Sequence, residues 1–229
     1  MKDDSPVAVN SASPARLAAL TGLAVAFGWP LLLVIPGVST HQVTNVHDDI
    51  VHLCAKWLVV SVLCTIAFAV QRWGPSKLGI RWLGWSDVLA CLAGVIVAFV
   101  ISGAASRFVV MPASLSDLQK LAAVPLGLRI VVVLTAAICE EFIYRGFGIE
   151  ELAYLTGRRW LAGLLSLILF TVSHAGLYGI SAALIIPGLV GAVLTGLYLW
   201  RRNLLSCMLM HAIMDGIFVI VIPAAMQAK

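Results

Sequence analysis

Ile130-Val131-Val132-Val133-Leu134-Thr135-Ala136-Ala137-Ile138-Cys139-Glu140-Glu141-Phe142-Ile143-Tyr144-Arg145 sets two adjacent carboxylates and an arginine at the end of a strongly apolar run. An ionisable side chain at membrane depth costs at least about 2.5 kcal/mol, so a carboxylate pair there is read first as functional. Composition decides whether the run lies in a membrane. The 229 residues are 61% hydrophobic and 11% charged, with a mean hydropathy of +1.02. Soluble domains carry about 25% charged residues. Long apolar stretches recur along the whole chain, which predicts an all-α, polytopic transmembrane helix bundle of about seven spans.

Outward from the opening stretch, the chain divides into a tail at 1–15, N-terminal transmembrane helices at 16–125 and a core at 126–226. The tail is polar, with Asp3, Asp4, Pro6 and Pro14, and reads as disordered. Leu17 to Val38 is the first span, taken as an uncleaved signal anchor because further spans follow. His41, His47 and His52 with Asp48 and Asp49 come next, and their loop setting favours a solvated rim over a metal site. The second span, Ile50 to Val70, carries Lys56 near its outer end, where a lysine is expected to snorkel. Gln71 to Trp85 interleaves Arg72, Lys77 and Arg81 with Trp73, Trp82 and Trp85, the composition of a membrane interface. Val88 to Ala105 is the third span, and Leu115 to Leu121 has the spacing of a short amphipathic surface helix. The fourth span starts near Leu126 and turns back at Thr156-Gly157; Trp160 to Tyr178, Ile180 to Trp200 and Leu204 to Ala225 complete the set.

Alternate loops gather ten of the fifteen basic residues on one side, which predicts a multi-pass cell-membrane protein with its N-terminus inside and C-terminus outside. The net charge of +4 comes without a long Lys/Arg run, so nucleic acid is not an expected partner; the lipid bilayer is. The five cysteines, Cys54, Cys64, Cys91, Cys139 and Cys207, form no Cys-x-x-Cys pair and read as small buried hydrophobes.

Three polar constellations interrupt the apolar core. On a helix, Glu141 and Arg145 share a face in the favourable acid-before-base order, while Glu140 points about 100° away. Arg145 can therefore hold Glu141 ionised, leaving Glu140 to face a cavity as a base. Phe170 and His174 stack one turn apart. A lone histidine on an apolar helix is more often a packing residue than a catalyst, so His174 gains weight only from company. His211 and Asp215, again one turn apart, can share a proton, orient a water or hold part of a metal shell. Glu140 lies 16 residues before Thr156 and His174 17 after Gly157, so both stand about 25 Å from the turn at 1.5 Å per residue. This requires the Glu140 helix to run on through Glu150 and Glu151 into the inner aqueous zone. Asp215 lies 13 residues beyond Arg202, about 20 Å from the same side. The three groups can meet at one level.

Glu140-Glu141-x-x-x-Arg145, Phe170-x-x-x-His174 and His211-x-x-x-Asp215 occur in the order of the CAAX-protease and bacteriocin-processing (CPBP, or Abi) family of intramembrane proteases, which this chain resembles over about Ala137 to Asp215. The resemblance implies peptide-bond hydrolysis at an active site in a membrane-embedded cavity, acting on a peptide or membrane-protein substrate. It implies that Glu140 activates the attacking water with help from His174. His211 and Asp215 would polarise the scissile carbonyl or ligate a metal, and Glu141, Arg145 and Phe170 would support the site. The family is often labelled metalloprotease, and Glu140, His174, His211 and Asp215 could serve Zn²⁺, but no His-Glu-x-x-His helix is present. A metal-independent Glu/His mechanism and a Zn²⁺ mechanism both remain open at this point. Two other classes compete: a membrane scaffold or bacteriocin-immunity protein that keeps the motifs without cleaving, and a proton-coupled transporter. The transporter reading lacks the paired interrupted segments of two symmetric halves.

Overall fold

The computed structural model describes residues 13–32, 46–105, 107, 115–175 and 180–227. Among these residues every regular element is a helix. In chain order they are α1 (Pro14–Leu32), α2 (Val46–Cys64), α3 (Trp85–Ala105), α4 (Leu115–Ala123), α5 (Leu126–Glu141), α6 (Glu150–Thr156), α7 (Arg159–Ser173), α8 (Ile180–Arg201), α9 (Leu204–Gly216) and α10 (Ile222–Gln227). Wide, i→i+5 helical segments continue α2 at Thr65–Val70, join α5 to α6 at Phe142–Ile149 and join α9 to α10 at Ile217–Val221. Residues 1–12 of the expected tail, and His41, lie outside the described residues.

Among the described residues, three stretches are long and apolar enough to cross a membrane: Ile50–Val70, Trp85–Ala105 and Leu204–Ala225. Pro14–Gly28, Arg159–Ser173 and Ile185–Arg201 are apolar but shorter. The expected fourth span is a continuous helical run from α5 into α6, with charges at Arg129, Glu140, Glu141 and Arg145. The all-helical expectation thus holds, and three of the seven expected spans have the length and composition of a crossing. His47, Asp48, Asp49 and His52, expected in a loop, fall instead on the first turns of α2, which starts at Val46.

Between lipid-facing helices there is little hydrophobic driving force, so close packing of small residues carries much of the association. The tightest neighbours are α7 with α8, α5 with α9, and α3 with α8. At Gly191 of α8 a Cβ would stand 2.8 Å from Cδ1 of Phe170 on α7, and at Gly163 of α7 it would stand 2.8 Å from Cδ1 of Leu199 on α8. Glycine at these two points lets the helices touch.

The α6–α7 hairpin is stopped where the sequence predicts. Gly157 takes the left-handed conformation, φ 68°, and its N–H donates to Ala153 O, closing the helix before α7 begins at Arg159. At the same end of the bundle, Asp87 accepts two bonds from Arg81 and one each from Arg201 Nε, Asn203 Nδ2 and the Gly84 N–H, at 2.9 to 3.1 Å. Asn203 also caps α9, its Oδ1 accepting from Leu205 N and Ser206 N. The loop after α2 is thereby fastened to the α8–α9 junction.

Exposed Trp82, Trp85, Trp160 and Trp200 surround this belt, as an interface requires. Trp73 departs from that expectation and packs against Phe147, ring centroids 6.2 Å apart. Cys91, Cys139 and Cys207 are buried and Cys64 is partly so, whereas Cys54 is exposed on α2.

Candidate active site

The wide segment Phe142–Ile149 follows the two glutamates directly, and all eight of its residues are buried. A wide turn loosens the regular ladder and commonly marks a functional stretch of helix. Here Ser166 Oγ of α7 donates to the Tyr144 carbonyl at 2.6 Å, giving that carbonyl a partner from the next helix. Tyr144 in turn donates its hydroxyl to Ser173 Oγ at 2.9 Å, and Ser173 donates to Phe170 O at 2.7 Å. These bonds fix the end of α7 against α5, and with it His174.

Glu140 and Glu141 separate as helical phase predicts. Glu141 is fully buried and receives Arg145 Nη1 at 2.8 Å. Arg145, also fully buried, donates Nη2 to Gly191 O at 3.1 Å and lies over the Phe170 ring at 4.3 Å. Phe170 therefore braces the guanidinium as well as the imidazole of His174, whose centroid is 4.4 Å from its own.

His174 Nδ1 lies 2.8 Å from Phe170 O. A carbonyl only accepts, so the proton belongs on Nδ1 and the lone pair of the neutral ring on Nε2. Nε2 faces Glu140 Oε2 at 3.7 Å. Helix α9 supplies His211, whose Nδ1 is 2.7 Å from Glu141 Oε1 and whose Nε2 is 3.4 Å from Asp215 Oδ2. Glu141 thus holds the arginine and the histidine together, a double role the sequence reading did not assign it.

The group that reading missed is Lys56. It does not snorkel outward; its Nζ meets Glu140 Oε1 at 2.5 Å. The sequence signal was a lysine inside an apolar run, but nothing local names a partner 84 positions away. Arg129 of α5 is also buried, and its Nη1 donates to Val219 O at 3.4 Å. Side-chain exposure rises from 8% at His211 through 13% at Glu140 and 21% at His174 to 33% at Lys56 and 37% at Asp215, so Lys56 and Asp215 are the least covered of the five.

The donor set does not suit a resident Zn²⁺. Among the described residues no three His, Cys, Asp or Glu side chains converge as a ligand shell would. Glu140 Oε1 is bonded to an ammonium, and the Nε2 atoms of His174 and His211 face different carboxylates, Glu140 and Asp215.

Further along the same helical run, Glu150 and Glu151 were expected in the inner aqueous zone and are instead buried within the protein. Glu150 is held by Arg159, by Tyr198 Oη at 3.0 Å and by Arg202. Neither oxygen of Glu151 has a hydrogen bond of full geometry. Burial pushes its carboxyl up to about 7, with the Gln71 side chain and Lys77 opposing the rise and Glu150 adding to it.

Residues 122–217 match the Rce1-like family, described as type II CAAX prenyl endopeptidase Rce1-like. The matched segment spans all three motifs and supports a CAAX-protease-type assignment for that part of the chain. No curated protein and no solved structure matches the chain.

Proposed function

We propose, taking residues 122–217 as a CAAX-type membrane peptidase unit, that the protein is an intramembrane endopeptidase hydrolysing a peptide bond of a membrane-associated peptide or protein. The observation that carries this reading is the pairing of Glu140 Oε2 with His174 Nε2 at 3.7 Å, with the proton of His174 committed to Nδ1.

An ionised carboxylate and a neutral imidazole Nε2 are both acceptors. A substrate water donating one hydrogen to each is held with its oxygen lone pair directed away from them, towards an incoming carbonyl carbon. Glu140 takes a proton as the water oxygen bonds to that carbon. The carbonyl oxygen becomes an oxyanion, and His211, protonated on both nitrogens between the Glu141 and Asp215 carboxylates, is the donor to it when its Nε2–H turns from Asp215 to the oxyanion. Glu140 then returns the proton to the leaving nitrogen, the C–N bond breaks, and the products are a carboxylic acid and an amine, which ionise to carboxylate and ammonium. The buried Glu141–Arg145 pair holds His211 in place and takes no proton. The substrate reaches Glu140 from the side that Lys56 and Asp215 flank. By the excess of basic residues on the inner side of membrane proteins, we read the belt of Arg81, Arg159, Arg201 and Arg202 as the inside face, with the N-terminus inside and the C-terminus outside.

Glu140→Gln removes the base and keeps the side chain's size. Cells carrying it are expected to insert normal amounts of protein and to lose a set of cleaved peptides present in wild-type cells, by comparative profiling of peptides and new N-termini. Identical profiles would sink the reading. A scaffold or immunity role would survive joint loss of Glu140 and His174, and a transporter would show Glu140-dependent flux with no cut product.

A further inference from the structure

Lys56 reaches the site from α2, outside the family-matched segment 122–217. It lies 14 residues before Val70, and Glu140 lies 16 before Thr156, so the two stand about 21 and 24 Å from the inner ends of their helices. They are level in the bundle. We propose that Lys56 is a positioning residue for the reaction: its ammonium fixes Glu140 Oε1 and so presents Oε2 to His174 and the substrate water. The proposal rests on Glu140 being the base and makes α2 part of the machinery.

The last torsion of a glutamate is broad, so a carboxylate in an open site turns freely unless something selects one oxygen. Here the two oxygens have different neighbours, Nζ of Lys56 at 2.5 Å for Oε1 and Nε2 of His174 at 3.7 Å for Oε2. The surrounding charges leave that task to Lys56. From α9, His211 lies between Glu141 and Asp215. On its own helical run, Glu141 is committed to Arg145, and Tyr144 to Ser173. One turn before Lys56, His52 shares its face of α2. Among the described residues, Lys56 is the permanent cation bonded to Glu140.

A purely architectural role is already filled. Trp57 Nε1 donates to Thr135 Oγ1 at 3.2 Å and ties α2 to α5 without Lys56. A lysine needing only to escape the bilayer would direct its head to the interface. This one turns to the carboxylate.

The test uses the full chain and the peptides that disappear with Glu140→Gln. Lys56→Met is expected to lower their yield about tenfold, within the range that misplacing a reacting group by an ångström produces. Lys56→Arg, which keeps the charge, is expected to restore most of it at equal protein level. Equal loss in both variants, or loss in neither, overturns the proposal. Thermal unfolding of purified Lys56→Met, Glu140→Gln and the double variant checks the pair without any substrate. The two single losses are expected not to add, and strict additivity overturns the proposal too. If Glu140→Gln leaves the peptide profile unchanged, the function fails first, whatever the unfolding cycle shows about the pair.

Discussion

Glu140 and Glu141 are neighbours of identical chemistry, yet the helix sends one to a partly open site and seals the other between Arg145 and His211. Their substitutions should therefore differ in kind. Removing one partner of a buried ion pair leaves an uncompensated charge and costs about 3–5 kcal/mol. Glu141→Ala is accordingly expected to lower the melting temperature in detergent and the amount of inserted protein. Glu140→Gln, which loses only the more exposed contact with Lys56, is expected to lower both by clearly less. Comparable destabilisation by both would contradict the division of roles. The Glu141–Arg145 pair was legible because the spacing of four is a local helical fact. The 3.7 Å approach of Glu140 to His174 was legible only as a shared level, since equal distances from one turn fix height but not rotation. Lys56 was not legible: its position in an apolar run announces a cost, and the compensating carboxylate comes from another helix.

Helix α7 ends at the site, and α8 determines how firmly. Phe170 is held between Arg145, Tyr144 and Gly191, with Tyr144 meeting it edge-on at a centroid distance of 5.0 Å. A methyl group at residue 191 would stand 2.8 Å from its ring. Overpacking of this sort costs about 1–3 kcal/mol, and here the strain falls on the ring beside His174. Gly191→Ala is expected to lower peptide cleavage more than it lowers protein level, measured together in the same cells. Normal cleavage would show that Phe170 shifts without carrying His174 along. The motif spacing showed that Phe170 and His174 stack; it held no information about the glycine opposite, which is read only once α7 and α8 are packed. The wide turns escaped the sequence reading for a related reason. Hydrophobic periodicity over one or two turns does not distinguish i→i+4 from i→i+5 bonding, so Arg145 to Glu151 was read as uninterrupted helix.

One end of the bundle is fastened by the buried carboxylates Asp87 and Glu150 among arginines, and Glu151 stands apart from them. Its carboxyl, about 7 in the folded protein, lies above the ordinary value of 4.5. The folded state therefore holds this proton more tightly than the unfolded chain. Below about pH 4.5 both states are protonated and Glu151 costs nothing. Between about pH 4.5 and 7 the unfolded chain ionises first, and stability falls as pH rises; above 7 the loss is complete. Glu151→Gln is expected to raise the melting temperature at pH 8 and to bring little gain at pH 4.5. Its neighbour Glu150, also raised by burial, is held by Arg159, Arg202 and Tyr198 and stays in place as the comparison. An equal gain at both pH values would rule out ionisation as its cause. The all-helical architecture was plain from composition. The burial of Glu150 and Glu151 was not, because acidic residues beyond an apolar run look solvated until Arg159 and Arg202 are folded over Glu150.

The wide segment Phe142–Ile149 gives the protein a constraint on length as well as on identity. It separates Glu140 and Glu141 from Glu150 and Glu151, and so couples the candidate site to the arginine-held end of the bundle. Dropping a single residue from it would turn everything downstream by about 100°. Glu150 would swing away from Arg159, Arg202 and Tyr198 even though no residue of the site had changed. The tally of residues between the two glutamate pairs works like the tooth count of a gear. Exchanges within 142–149 that preserve the count and the packing leave the two ends in mesh, whereas a one-residue gap slips them.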